Sequence, residues 1–151
     1  MQIFDMNIGL AIAGACVLLW ISVCALSSKV GTWSKLQNKY PTLGMPTGTT
    51  YHFQSATIGK VSYNNALHIQ VSSRGLYMIP MIPFRFGHSP ILIPWREIHA
   101  EERKGFFGTS TVLSVGRPQI TTLGFGNGFM ERSNMKRYLQ QEKSDRLTTA
   151  F

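Results

Sequence analysis

GLYMIPMIPFRFGHSPILIPWREI, residues 75–98, is the stretch that decides how this chain is read. Residues 76–79 and 91–93 are two short apolar runs, each followed by a proline, Pro80 and Pro94. Proline has no amide hydrogen to give to a sheet ladder, so it marks the end of a strand or the edge of a sheet. The runs therefore read as two short strands, and the segment between them, MIPFRFGHSP, as a proline-bracketed loop. Met81, Ile82, Phe84 and Phe86 cannot all point inward from such a loop, so apolar surface is left for a partner, or for the chain's own terminal helix, to cover. Arg85 and His88 supply a cationic rim. Phe84, Arg85, Phe86 and His88 are thus the candidate contacts for a protein partner or for lipid.

Working outward, the pattern on both sides has the period of two that marks strands. Tyr51 and Phe53 alternate with His52 and Gln54, and Val61 and Tyr63 precede a predicted turn at Asn64 and Asn65. Leu67, Ile69 and Val71 alternate with His68, Gln70 and Ser72, and Ser73, Arg74 and Gly75 turn the chain into the strand that begins at Leu76. Beyond the central stretch, residues 91–95 and 98–103 read as strand material around Pro94, with Trp95 and Ile98 in the core. Residues 111–115 and 119–123 form a hairpin across Gly116, Arg117 and Pro118. Residues 128–143 carry Met135, Tyr138 and Leu139 at helical spacing. Seven short antiparallel strands and one amphipathic helix predict a mainly β domain over residues 49–143, a curved sheet or barrel with the helix capping an open end. Residues 144–151 read as a mobile tail.

Toward the N-terminus, residues 8–26 form an uncharged run, IGLAIAGACVLLWISVCAL, which as a helix is long enough to cross about 30 Å of hydrocarbon. A transmembrane helix over residues 8–28 is the reading. A cleavable signal peptide is the competitor, and it lacks the basic leader, since residues 1–7 carry Asp5 alone. Lys29, Lys35 and Lys39 follow the run, so the positive-inside rule places the domain in the cytoplasm and residues 1–7 outside it. Residues 29–48 then read as a juxtamembrane segment and linker. In TWSKLQNKY, residues 32–40, Trp33, Leu36 and Tyr40 share one helical face, with Lys35 and Lys39 off it. Such a helix suits the inner leaflet, with Trp33, Lys35, Lys39 and Tyr40 at headgroup level, or else packs on the domain. Cys16 and Cys24 both lie in the apolar run, where cysteine behaves as a small hydrophobe.

The formal net charge is +8, and no acidic residue occurs between Asp5 and Glu97, whereas Lys29, Lys35, Lys39, Lys60, Arg74, Arg85 and Arg96 fall in that interval. An uncompensated basic half attracts anionic partners, of which nucleic acid and anionic lipid headgroups are the common ones. The anchor argues against nucleic acid. Acid–base chemistry needs placed carboxylates or activated nucleophiles, and the scarcity of both weighs against a hydrolase or other enzyme centred on the loop. His52, His68, His88 and His99 show no paired ligand spacing, and His52 and His68 fall on polar strand faces, so no metal or cofactor is expected. Residues 124–128, GFGNG, lie between a strand and a helix as phosphate loops do. No strand follows the helix to complete a dinucleotide fold, so they read as a sharp turn with Asn127 or Gly128 as N-cap.

Taken together, Gly31-Thr32-Trp33-Ser34-Lys35-Leu36 and the block of residues 75–98 resemble a family of small, single-span bacterial membrane proteins of unassigned function. More remotely, the strand number, Ile93-Pro94-Trp95 with Ile98, and the terminal helix are similar to pleckstrin-homology-like and GRAM-like domains. That resemblance implies a seven-stranded barrel capped by a helix that binds protein or lipid and does not catalyse; with the single-span family and the positive-inside reading, the domain is expected at the bacterial inner membrane. The phosphoinositide pattern of several basic residues between the first two strands would fall on residues 55–60, which hold Lys60 alone.

Overall fold

The computed structural model describes residues 2–105 and 108–150. In chain order it contains α1 (Gln2–Val30), α2 (Thr32–Lys39), β1 (Thr49–Ile58), β2 (Val61–Ser72), β3 (Gly75–Pro80), β4 (Ile91–Ile93), a 3-10 turn (Trp95–Glu97), β5 (Ile98–Gly105), β6 (Gly108–Val115), β7 (Thr121–Phe125), α3 (Asn127–Arg132) and α4 (Met135–Thr149). The seven strands make one antiparallel sheet in the order β4-β3-β2-β1-β7-β6-β5, curved into a half-barrel.

The curvature follows from connectivity. β4 and β5 are the two edges, and laid flat they would stand six strand spacings, about 29 Å, apart. The chain passes from Ile93 to Ile98 in five residue steps, which reach at most about 18 Å. The sheet must therefore curl until its edges approach. Two irregularities in the β1–β2 ladder help it bend: His52 and Phe53 stand between the Tyr51↔Ile69 and Gln54↔Leu67 pairs, and a second shift follows between Gln54 and Ala56. Phe53 and Asn65 both take positive φ there, 53° and 50°.

The concave face carries the alternate residues Leu67, Ile69 and Val71 of β2, Leu76 and Met78 of β3, and Ile91 and Ile93 of β4, all buried. Leu113, Val115 and Leu123 of the other wing join the same core. Phe129, Met130, Met135 and Leu139 reach it from α3 and α4, and the Tyr138 ring stacks on Trp95 at 5.1 Å and 3°. Trp95 and Ile98 are core residues, and the Trp95 indole donates to the Ser72 carbonyl at 2.7 Å.

Six expectations from sequence are corrected. Asn64 and Asn65 do not turn the chain: β2 runs unbroken through them, and the hairpin turn is at Gly59 and Lys60, where Gly59 takes φ 63°. The apolar alternation on either side of Asn64 belongs to one continuous strand whose pairing with β1 shifts register there. The C-terminal helix is two helices, broken at Asn134 with φ 55°, and α3 is capped by Gly126, not Asn127 or Gly128. The residues assigned to a tail are helical through Thr149, because Arg146 ties them down, its Nη2 donating to the Arg96 carbonyl at 2.7 Å; Phe151 lies outside the described residues. At the other end α1 already begins at Gln2, ahead of the expected start at Ile8. Finally, α2 is part of the domain, with Trp33 and Leu36 buried in its core, and not a surface element preceding a linker.

α1 is apolar on all sides. Its segment Met6–Leu26, 21 residues with a mean hydropathy of 2.4, is only 6% buried and is long and apolar enough to cross a membrane.

Candidate functional site at the β3–β4 loop

α2 has eight residues, too few to be stable as a helix by itself, so its structure depends on what it packs against. Trp33 and Leu36 are 1% and 0% exposed on the concave face, and Tyr40, at the C-cap, is also buried. The Trp33 indole donates to the Ser89 carbonyl at 3.0 Å, the Ser89 amide donates to Gln37 Oε1 at 3.1 Å, and the Leu92 amide donates to the Tyr40 carbonyl at 3.1 Å. These bonds fix the C-terminal limb of the 81–90 loop to α2. The Tyr40 hydroxyl donates to Glu97 Oε2 at 3.1 Å; burial first, then that bond and the Glu97 charge, push its pKa up to about 12. Trp33 and Tyr40 are therefore core residues and not headgroup contacts, since the apolar face that was read as lipid-facing is the face the sheet needs to fill its interior. Lys35 and Lys39 stay exposed on the other face of α2.

His88 is corrected in the same way. It is buried, not part of an exposed rim. Its ring lies edge-on to Trp33 at 5.5 Å and against Tyr63, while Nδ1 faces the Phe86 carbonyl at 3.2 Å and Nε2 the Tyr63 hydroxyl at 3.4 Å. Burial lowers its pKa, with the Phe86 carbonyl opposing, and the neutral ring fits these partners: Nδ1–H donates and Nε2 accepts. Burial likewise raises the pKa of Tyr63. His88 thus braces the loop from inside.

The other three candidate residues are at the surface. Ile82, Phe84 and Phe86 are 75%, 38% and 47% exposed, with Arg85 exposed between the two phenylalanines. The Phe84 ring meets Trp20 of α1, centroid to centroid at 5.6 Å and tilted by 56°. The positive charge of Arg85 acts on His68 and Tyr77. On that side Nδ1 of His52 and Nδ1 of His68 stand 2.5 Å apart, and Phe53, 65% exposed, lies beside His68. The pKa of His68 is lowered by burial first, then by His52 and Arg85. The polar strand faces on which His52 and His68 fall do not by themselves pair them; the hairpin register about Gly59 and Lys60 does, by setting Tyr51 opposite Ile69.

Among the described residues no group of three or more His, Cys, Asp or Glu side chains could hold a metal ion. α3, behind the glycine-rich turn, has six residues and ends in the core through Phe129 and Met130. What the arrangement offers is a braced apolar loop beside an apolar helix, with Arg85 and two histidines on its domain side. No family model matches the chain, and no curated protein or solved structure is significantly similar to it.

Proposed function

We propose that the chain is a single-span protein of the bacterial cytoplasmic membrane whose half-barrel, of pleckstrin-homology-like or GRAM-like kind, acts in the cytoplasm at the inner leaflet. It serves as a binding or scaffold module for a protein partner in the same membrane or for anionic lipid, and not as a catalyst. The observation that carries this reading is the join between the two parts: Gly31 alone separates α1 from α2, and α2 begins in the domain core with Trp33. A domain joined this closely to a span cannot range far from the bilayer, so its partners are met at the high effective concentration of a shared surface, where weak contacts suffice. Asp5 before the span and Lys29, Lys35 and Lys39 after it favour the cytoplasm for the domain. The absence of carboxylates between Asp5 and Glu97 favours anionic contacts over acid–base chemistry.

Reporter fusions test the orientation. A C-terminal fluorescent protein that matures only in the cytoplasm should glow, and the chain should sediment with membranes after a carbonate wash. An active periplasmic phosphatase at the same position would reverse the orientation, and release by carbonate would remove the anchor.

A further inference from the structure

The Trp20–Phe84 contact places the loop relative to the span. Met6–Leu26 is 21 residues, about 31 Å as a helix, against about 30 Å of hydrocarbon, and Asp5 at its outer end opposes a shift of the slab toward the N-terminus. Trp20 stands six residues before Leu26, so it lies about 9 Å inside the slab from the domain side. Phe84, whose ring centroid stands 5.6 Å from that of Trp20, therefore lies within that distance of the same depth. Interfacial elements bury their apolar faces by about 5–10 Å, the same range.

Resting on the anchored reading above, we propose that the β3–β4 loop is a second membrane-inserted element, with Ile82, Phe84 and Phe86 entering the acyl–headgroup boundary of the domain-side leaflet beside α1. The loop is built for it. His88, Trp33 and the Ser89 bonds brace its base, so the exposed tip is held out without support from other parts of the domain. Its cation lies near the domain, since the Arg85 charge is felt at His68 and Tyr77, and a long basic side chain can keep its head at headgroup level while its neighbours enter the apolar layer. No acidic residue of the interval between Asp5 and Glu97 repels an anionic leaflet. Span and loop together make two attachment points, which fix the domain's orientation on the membrane as well as its distance.

The test is spin-label depth measurement on the full chain in vesicles of phosphatidylcholine and phosphatidylglycerol, in a Cys16→Ala, Cys24→Ala background. Nitroxides at Ile82→Cys and Phe86→Cys, both exposed positions, should relax faster with oxygen than with aqueous nickel chelate. Labels at Val17→Cys in the span and Lys136→Cys on α4 provide the membrane and water references. Loop labels that behave like Lys136 while Val17 reads as buried in lipid would overturn the insertion and leave the anchor standing. An aqueous Val17 would overturn the anchor itself. Loop labels shielded from both reagents would mean that protein, in this preparation a second copy of the chain, covers the tip, which also refutes the proposal.

Discussion

Removing α2 should unfold the β domain, although a reading by composition begins that domain after a linker, at Thr49. Trp33, Leu36 and Tyr40 are all buried in the concave core. Full burial of a large apolar side chain contributes about 1.5–3 kcal/mol, so the three together contribute about 5–9 kcal/mol. Deleting them also strips the Ser89 carbonyl and the Glu97 carboxylate of their partners and opens the concave face to water. Typical domains have about 5–15 kcal/mol of stability in total, so the loss reaches the whole of a typical margin. The assay compares a fragment of residues 31–150 with one of residues 45–150 by circular dichroism and urea unfolding. The longer fragment should unfold cooperatively; the shorter should show no cooperative transition and should bind hydrophobic dye. Leu36→Ala in the longer fragment should cost about 2–5 kcal/mol, an intermediate step on the same scale. The reasoning fails if the shorter fragment unfolds cooperatively with a loss below about 1 kcal/mol, about 4–8 °C in midpoint, since α2 would then be an accessory.

Three further outcomes are expected. Gly75→Ala should lower stability by about 2–4 kcal/mol by thermal unfolding, because Gly75 takes φ 152° and an added Cβ would meet the Ile93 carbonyl and Pro94; a change within about 0.5 kcal/mol would refute the close approach of β3 and β4 at that point. Arg146→Met should cost about 1.5–3 kcal/mol in urea unfolding by freeing the Arg96 carbonyl and the Glu142 carboxylate, whereas a frayed tail would cost nothing. Tyr40 keeps its proton up to about pH 12 in the folded chain but loses it near pH 10 when unfolded, so its stabilisation is complete below pH 10 and falls from there to 12 by at most about 1.4 kcal/mol per pH unit, less as water screens the hydroxyl. Tyr40→Phe should flatten that fall, leaving the smaller contributions of Tyr63 and Tyr77, whose pKa values are also raised; an unchanged slope would refute the assignment.

Much of this molecule was legible one residue at a time. The uncharged run of residues 8–26 defines an apolar helix because length and lack of charge are local properties. The strands on either side of the 81–90 loop follow from alternation and from Pro80 and Pro94, which act on their own backbone. So does the exposure of Ile82, Phe84 and Phe86, since a proline-bracketed loop gives its side chains no common inward direction. What the sequence could not decide was which of two apolar partners a face would take. The Trp33, Leu36 and Tyr40 stripe fits a bilayer as well as a concave sheet, and only the curl forced by the short passage from Ile93 to Ile98 creates the hollow that α2 fills. The burial of His88, the pairing of His52 with His68 and the meeting of Trp20 with Phe84 have the same origin. Each joins residues at least sixteen apart in the chain, and such contacts are fixed by strand register and sheet curvature, which no local pattern of side chains records.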